Sequence, residues 1–127
     1  MQQPNPIPEE IRRFVLTSIP SVPYLEALLL LRSDPRQAWD AAQLARRLYV
    51  PERTGAELVG LLRDSTIAQP VDDTGAVRYA PSGELAELLD RVASAYATDL
   101  VTVSGLIHSR IDRRAQQFAD AFRFRKE

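Results

Sequence analysis

The stretch that decides the fold is Asp40-Ala41-Ala42-Gln43-Leu44-Ala45-Arg46-Arg47-Leu48-Tyr49-Val50-Pro51-Glu52-Arg53-Thr54-Gly55-Ala56-Glu57-Leu58-Val59-Gly60-Leu61-Leu62-Arg63-Asp64. Asp40 stands three residues before Gln43, the form of a capping box, in which an N-cap acid accepts the Gln43 amide and Gln43 reaches back to the Asp40 amide. Ala41, Leu44, Ala45 and Leu48 then recur at spacings of three and four and supply the buried face of a short helix. Tyr49-Val50-Pro51-Glu52 reads as a turn. Pro51 suits the start of another helix, because its fixed φ is helical and its missing N–H would have no partner there. In that helix Ala56, Leu58, Val59, Leu61 and Leu62 are the apolar positions, and Glu52, Arg53, Thr54, Glu57 and Arg63 are left for solvent or a ligand.

Upstream, residues 1–8 hold three prolines and read as a loose arm. Pro8 starts a short helix with Ile11, Phe14, Val15 and Ile19 on one face, which Pro20 ends. Ser21 caps a second helix carrying Tyr24, Leu25, Leu28, Leu29 and Leu31, apolar nearly all round and therefore central to the core. It stops near Ser33-Asp34-Pro35. Downstream, Ile67–Val71 and Ala76–Ala80 alternate roughly at period two about the turn Asp72-Asp73-Thr74-Gly75, which predicts a two-stranded hairpin. Ser82 caps the last and longest helical segment, with apolar positions Leu85, Leu88, Leu89, Val92, Tyr96, Leu100, Val103, Ile107 and Ile111. Unbroken to Phe122 it would be about 60 Å long at 1.5 Å per residue. The β-branched run Val101-Thr102-Val103 before Ser104-Gly105 is the expected kink or break.

Composition sets the frame. At 127 residues with 45% hydrophobic and 26% charged side chains, one globular domain is expected. The absence of Cys excludes disulfides and thiolate metal sites. The longest apolar run, Ala27–Leu31, is far short of a membrane span, and no signal peptide opens the chain, so a cytoplasmic protein is expected. Net charge is −1, with no overall attraction to nucleic acid. Its distribution is uneven. Residues 32–66 carry six Arg and five acids, residues 83–109 one Arg and four acids, and the segment from Arg110 six basic residues and three acids. Fifteen of the 16 basic residues are Arg, whose planar fork suits phosphate and carboxylate.

The order helix, helix, tight turn, helix, hairpin, long helix resembles a winged helix-turn-helix domain, most closely the multiple-antibiotic-resistance-regulator type. The resemblance lies in Ala41–Leu48 as the first helix of the pair, Tyr49–Pro51 as the turn, Glu52–Asp64 as the second helix and Ile67–Pro81 as the wing. The ending Phe118–Lys126 also resembles the tails of bacterial winged-helix proteins. The resemblance implies a mostly α fold with a small two-stranded β-wing. It also implies an arm (1–8), a core (9–81) and a C-terminal dimerisation segment with a basic tail (82–127). In the family the second helix enters the major groove and the wing touches backbone or minor groove. Carried over, Arg53, Thr54 and Glu57 face the bases, Arg46, Arg47 and Arg63 contact phosphate, and Arg78 reaches from the wing. This chain departs from the pattern in its acids: Glu52, Glu57 and Asp64 on the reading helix, and Asp72-Asp73 at the wing tip.

The same residues have plainer readings. Arg46, Arg47, Arg53 and Arg63 also fit the solvated faces of amphipathic helices. Arg113, Arg114, Arg123, Arg125 and Lys126 fit a helix end followed by a frayed tail. Ser104, His108 and Asp112, at i, i+4 and i+8, mimic a nucleophile, base and orienter, but no nucleophile elbow or Gly-rich loop accompanies them. One His and no Cys exclude a His-rich or thiolate metal site, no cofactor is expected, and the missing elbow and Gly-rich loop leave no enzymatic activity expected. The stripe Leu89, Val92, Tyr96, Leu100, Val103, Ile107 and Ile111 either packs over its own domain or buries against a second copy, and length favours the copy. The expectation is a homodimeric, sequence-specific regulator of transcription that binds double-stranded DNA. The rival is a winged-helix module that docks a protein partner, through its C-terminal helices, without binding DNA.

Overall fold

Pro8 closes the first turn of α1 (Glu9–Ser18) by accepting the Arg12 amide at 2.9 Å. The computed structural model describes residues 7–109, and these contain six helices and one two-stranded antiparallel sheet. They fall into two compact units: residues 22–90, and residues 7–21 taken with 91–109. The boundaries thus differ from those read off the sequence, because α1 groups with the chain after Arg91.

In the 22–90 unit, α2 (Val22–Ser33) buries Tyr24, Leu25, Ala27, Leu28 and Leu31, and is the central helix its composition predicts. The buried Tyr24 phenol lies 2.9 Å from Ser65 Oγ. Ser65 Oγ also donates to the Leu61 carbonyl at 2.9 Å, so the two hydroxyls and that carbonyl form a short hydrogen-bonded chain. Burial pushes the Tyr24 phenol above its ordinary value, and the Ser65 hydrogen bond pulls the other way.

α3 (Ala41–Leu48) begins with the predicted capping box. Gln43 N donates to Asp40 Oδ1 at 2.8 Å, and Asp40 N donates to Gln43 Oε1 at 3.0 Å. The helix ends when Val50 N returns to the Ala45 carbonyl at 3.0 Å, which throws Tyr49 into the left-handed region at φ 58°, ψ 43°. α4 (Glu52–Asp64) then turns Gly55, Leu58, Val59 and Leu62 inward, at i, i+3, i+4 and i+7. A Cβ at Gly55 would stand 2.3 Å from the Ala41 carbonyl oxygen and 3.0 Å from Ala45 Cβ. That crossing sets the roll of α4, and it corrects the sequence reading at two positions: Ala56 and Leu61 lie on the outer surface.

The hairpin pairs β1 (Ala68–Pro70) with β2 (Val77–Tyr79), Gln69 opposite Arg78. Bonds from Val71 N to the Ala76 carbonyl and from Ala80 N to the Ile67 carbonyl extend the pairing to the predicted limits. Trp39, in the loop before α3, adds a bridge to Val77 on the other edge of β2, with N–H···O distances of 2.8 and 2.9 Å.

α5 (Gly83–Thr98) and α6 (Leu100–Ser109) replace the single long helix. The break falls at Asp99, earlier than the expected Val101–Gly105. The Asp99 carboxylate accepts the Thr102 amide at 3.2 Å and the Thr102 hydroxyl at 2.7 Å, an N-cap that starts a new helix there. In the unit formed by residues 7–21 and 91–109, Ile11, Val15, Ile19, Val103 and Ile107 are buried.

Two pairs of variants test this packing. Gly55→Ala sets a methyl against backbone and should cost about 1–3 kcal/mol in urea unfolding. Gly60→Ala, on the same helix with nothing within 4 Å of the added methyl, should instead gain about 0.5–1 kcal/mol. Tyr24→Phe should cost about 1 kcal/mol near neutral pH. The raised folded-state pKa of Tyr24 means that its contribution is full below the unfolded value of 10.0 and is lost as pH rises through the folded value. Wild-type stability should therefore fall more steeply than that of Tyr24→Phe above about pH 10.

Candidate functional site

A tight turn between two helices brings charge to one part of the 22–90 unit. Arg46 and Arg47 occupy the last turn of α3, Arg53 and Thr54 the first turn of α4, Glu57 the next turn, and Arg63 the last. Arg78 stands on β2. All are exposed except Thr54, which is half-buried.

Among the described residues, none of Arg46, Arg47, Arg53, Arg63 and Arg78 takes an ion pair. Three arginines elsewhere are paired, Arg12 lying 3.7 Å from Glu9, Arg32 3.0 Å from Asp90 and Arg91 2.6 Å from Glu10, while Arg13 and Arg36 are exposed and, among the described residues, also take no ion pair. Free guanidinium groups keep their full donor capacity for an incoming anion.

Acids share the surface. Glu52, Glu57 and Asp64 are exposed on α4, interleaved with Ala56, Gly60 and Leu61. At the hairpin tip the Thr74 hydroxyl and the Thr74 amide both donate to Asp72, which holds its carboxyl below the ordinary range. Asp73 beside it is exposed. Acids placed this way repel phosphate, so the arginines nearest the turn, with only Glu52 and Glu57 among them, form the most favourable patch for an anion.

Tyr49 stands in the turn itself. It is 95% exposed, and its side chain has no hydrogen bond among the described residues. The sequence reading took it only as part of a turn. The signal was there: a helix that must end before Pro51 with no Gly at hand obliges an ordinary residue to take the left-handed position. Gly55 and Trp39 were missed as structural residues too. The small side chains of Ala41 and Ala45 hint at the first; nothing in local patterning marks the second.

The residues expected at a dimer interface divide. Leu89, Val92, Val103 and Ile107 are buried within the single chain, Tyr96 is half-buried and Leu100 is 53% exposed. Val101 beside it is 79% exposed. Ile111 lies outside the described residues, as do the basic residues from Arg110 onward. Ser104 is half-buried and His108 exposed on α6, and Asp112 also lies outside the described residues. Among the described residues no three His, Asp or Glu side chains gather to hold a metal.

A cleft of about 290 Å³ opens in the unit formed by residues 7–21 and 91–109, between Ile7, Pro8 and Ile11 on one side and Ser94, Ala95 and Thr98 on the other. Three of its polar side chains are already engaged: Arg91 with Glu10, the Thr98 hydroxyl with the Ser94 carbonyl, and Asp99 with Thr102. Trp39 Nε1 and the Tyr79 hydroxyl are buried without a hydrogen-bond partner among the described residues. Burial pushes the Tyr79 phenol up, against the pull of Arg32. No helix among the described residues is by itself long and apolar enough to cross a membrane. Comparison with protein-family models, curated proteins and solved structures gave no match.

Tyr49 makes a stability prediction. A side chain in the left-handed region is disfavoured relative to Gly, and an exposed ring has no packing to offset it. Tyr49→Gly should therefore unfold at equal or higher urea concentration than wild type, with a gain of up to about 1 kcal/mol.

Proposed function

We propose that residues 22–80 form a winged helix-turn-helix domain whose turn, second helix and hairpin bind double-stranded DNA, and that the protein is a cytoplasmic, non-enzymatic regulator of transcription. The observation that carries this reading is the set of exposed, unpaired arginines on α3, α4 and β2. In this reading α2 is the first helix of the domain, the Trp39 bridge its short first strand, α3 the positioning helix, α4 the reading helix and β1–β2 the wing. The element order α2, bridge, α3, α4, β1–β2 supports that reading.

The mechanism follows from side-chain chemistry. Arg53 at the start of α4 presents two parallel donors that match guanine O6 and N7, Thr54 can bond either base edge, and Glu57 can accept from a cytosine amino group. Arg46, Arg47, Arg63 and Arg78 bind phosphate and set register. Two copies would place their reading helices in successive major grooves about 34 Å apart, so dimer geometry would fix half-site spacing. Leu100 and Val101 are the exposed apolar positions that α6 offers to such a dimer.

A second reading has its own observation. Residues 22–90 carry seven arginines against eleven acids, a local charge of −4. That charge, with Ala56, Gly60 and Leu61 on the outer face of α4, suits a basic or apolar protein partner better than a polyanion.

The two readings separate in a selection of fragmented genomic DNA by the purified chain at about 0.15 M salt, where nonspecific phosphate binding is weak. The regulator should recover one palindromic motif, and a triple Arg46/Arg47/Arg53→Ala variant should lose it. Arg53→Ala alone should relax discrimination at one base pair by about 1–3 kcal/mol. Failure to enrich any sequence would transfer the proposal to the protein-binding reading.

A further inference from the structure

The reversal between α3 and α4 requires a left-handed residue at position 49, and neither that backbone nor packing calls for an aromatic side chain there. Tyr49 adopts φ 58°, a conformation that favours Gly, and its ring is 95% exposed. Thr66 shares the positive φ at the end of α4, but its hydroxyl donates to the Ser65 carbonyl. The Tyr49 hydroxyl donates to nothing among the described residues. The reversal explains the conformation but not the tyrosine, and a 95% exposed phenol at a position that Gly would fill with less strain points to a role outside the chain.

Charge says what that role is. Arg46 and Arg47 precede Tyr49 by three and two residues, Arg53 follows by four, and none of the three is paired among the described residues. The phenol is thus a neutral donor flanked in the sequence by free cations, which is the company kept by a group that meets an anion. Within a duplex the bases are stacked and closed to the ring, whereas phosphate oxygens accept from Tyr hydroxyls. We propose that Tyr49 is a phosphate-contacting residue, its hydroxyl donating to a phosphate oxygen of the strand bordering the groove that α4 enters. The inference rests on the DNA-binding reading and adds to it a contact that is uncharged.

That last property gives the test. Phosphate contacts made by cations release counterions and steepen the salt dependence of binding; a neutral donor releases none. Binding of the full chain to a pool of random-sequence duplexes is followed by fluorescence anisotropy over a range of salt concentrations, for wild type, Tyr49→Phe, Tyr49→Gly and Arg46→Ala. Both Tyr49 variants should bind about tenfold more weakly at every salt concentration, with the slope of log K against log salt unchanged. Arg46→Ala should flatten that slope by about one. Because Tyr49→Gly is expected to be at least as stable as wild type, lost binding would not reflect unfolding. Wild-type affinity in both Tyr49 variants would overturn the inference and leave the DNA-binding reading standing. A slope change in Tyr49→Phe as large as that of Arg46→Ala would also overturn it. Absence of binding by the wild type would overturn both together.

Discussion

At Gly55 the backbone of α4 passes so close to α3 that a single methyl group would press on the Ala41 carbonyl, and the rest of the 22–90 unit is arranged around that approach. Ala41 and Ala45 supply the small surface on α3 that allows it, and the capping box at Asp40 fixes where that surface begins. Once the crossing is made, Leu58, Val59 and Leu62 are turned inward and the outer face of α4 is determined. Tyr49 takes a conformation that its side chain does not favour because the chain must reverse between Leu48 and Pro51. The exposed arginines at the turn are thus held in place by a contact between small residues that carry no chemistry of their own.

Electrostatics limits what that surface can bind. A unit with a local charge of −4 does not draw DNA from a distance, so on the proposed DNA-binding reading recognition comes from short-range contacts at the free arginines. On that reading each interleaved acid would weaken phosphate binding and exclude wrong alignments, a trade of affinity for selectivity. The same balance explains why a partner protein is a reasoned alternative: the acids that weaken phosphate contacts also leave α4 open to a basic or apolar surface.

Much of the fold was legible because it is written in local chemistry. Asp40 and Gln43 announce α3, Pro51 starts α4, and alternation about Gly75 marks the hairpin. What was not legible depends on tertiary geometry. Ala56 and Leu61 look like core residues in a periodic pattern, but the roll imposed at Gly55 turns them outward. The break before α6 was assigned to β-branched residues, while a carboxylate two residues upstream makes it. Leu89, Val92, Val103 and Ile107 share a stripe with Leu100, yet only coordinates separate positions buried in one chain from those left open. For the site, the residue types and spacing of the arginines could be read directly, whereas their freedom from ion pairs, and the exposure of Tyr49, could not.

The central claim is that the turn between α3 and α4, with the hairpin, is a surface for duplex DNA. The most direct measurement is an amide NMR titration of the labelled chain with random-sequence duplex at about 0.05 M salt, where even nonspecific binding is strong for a DNA-binding protein. The account predicts shift changes concentrated at residues 46–57 and around Arg78, with Leu100 and Val101 unmoved. An unchanged spectrum, or changes confined to residues outside that surface, would contradict it.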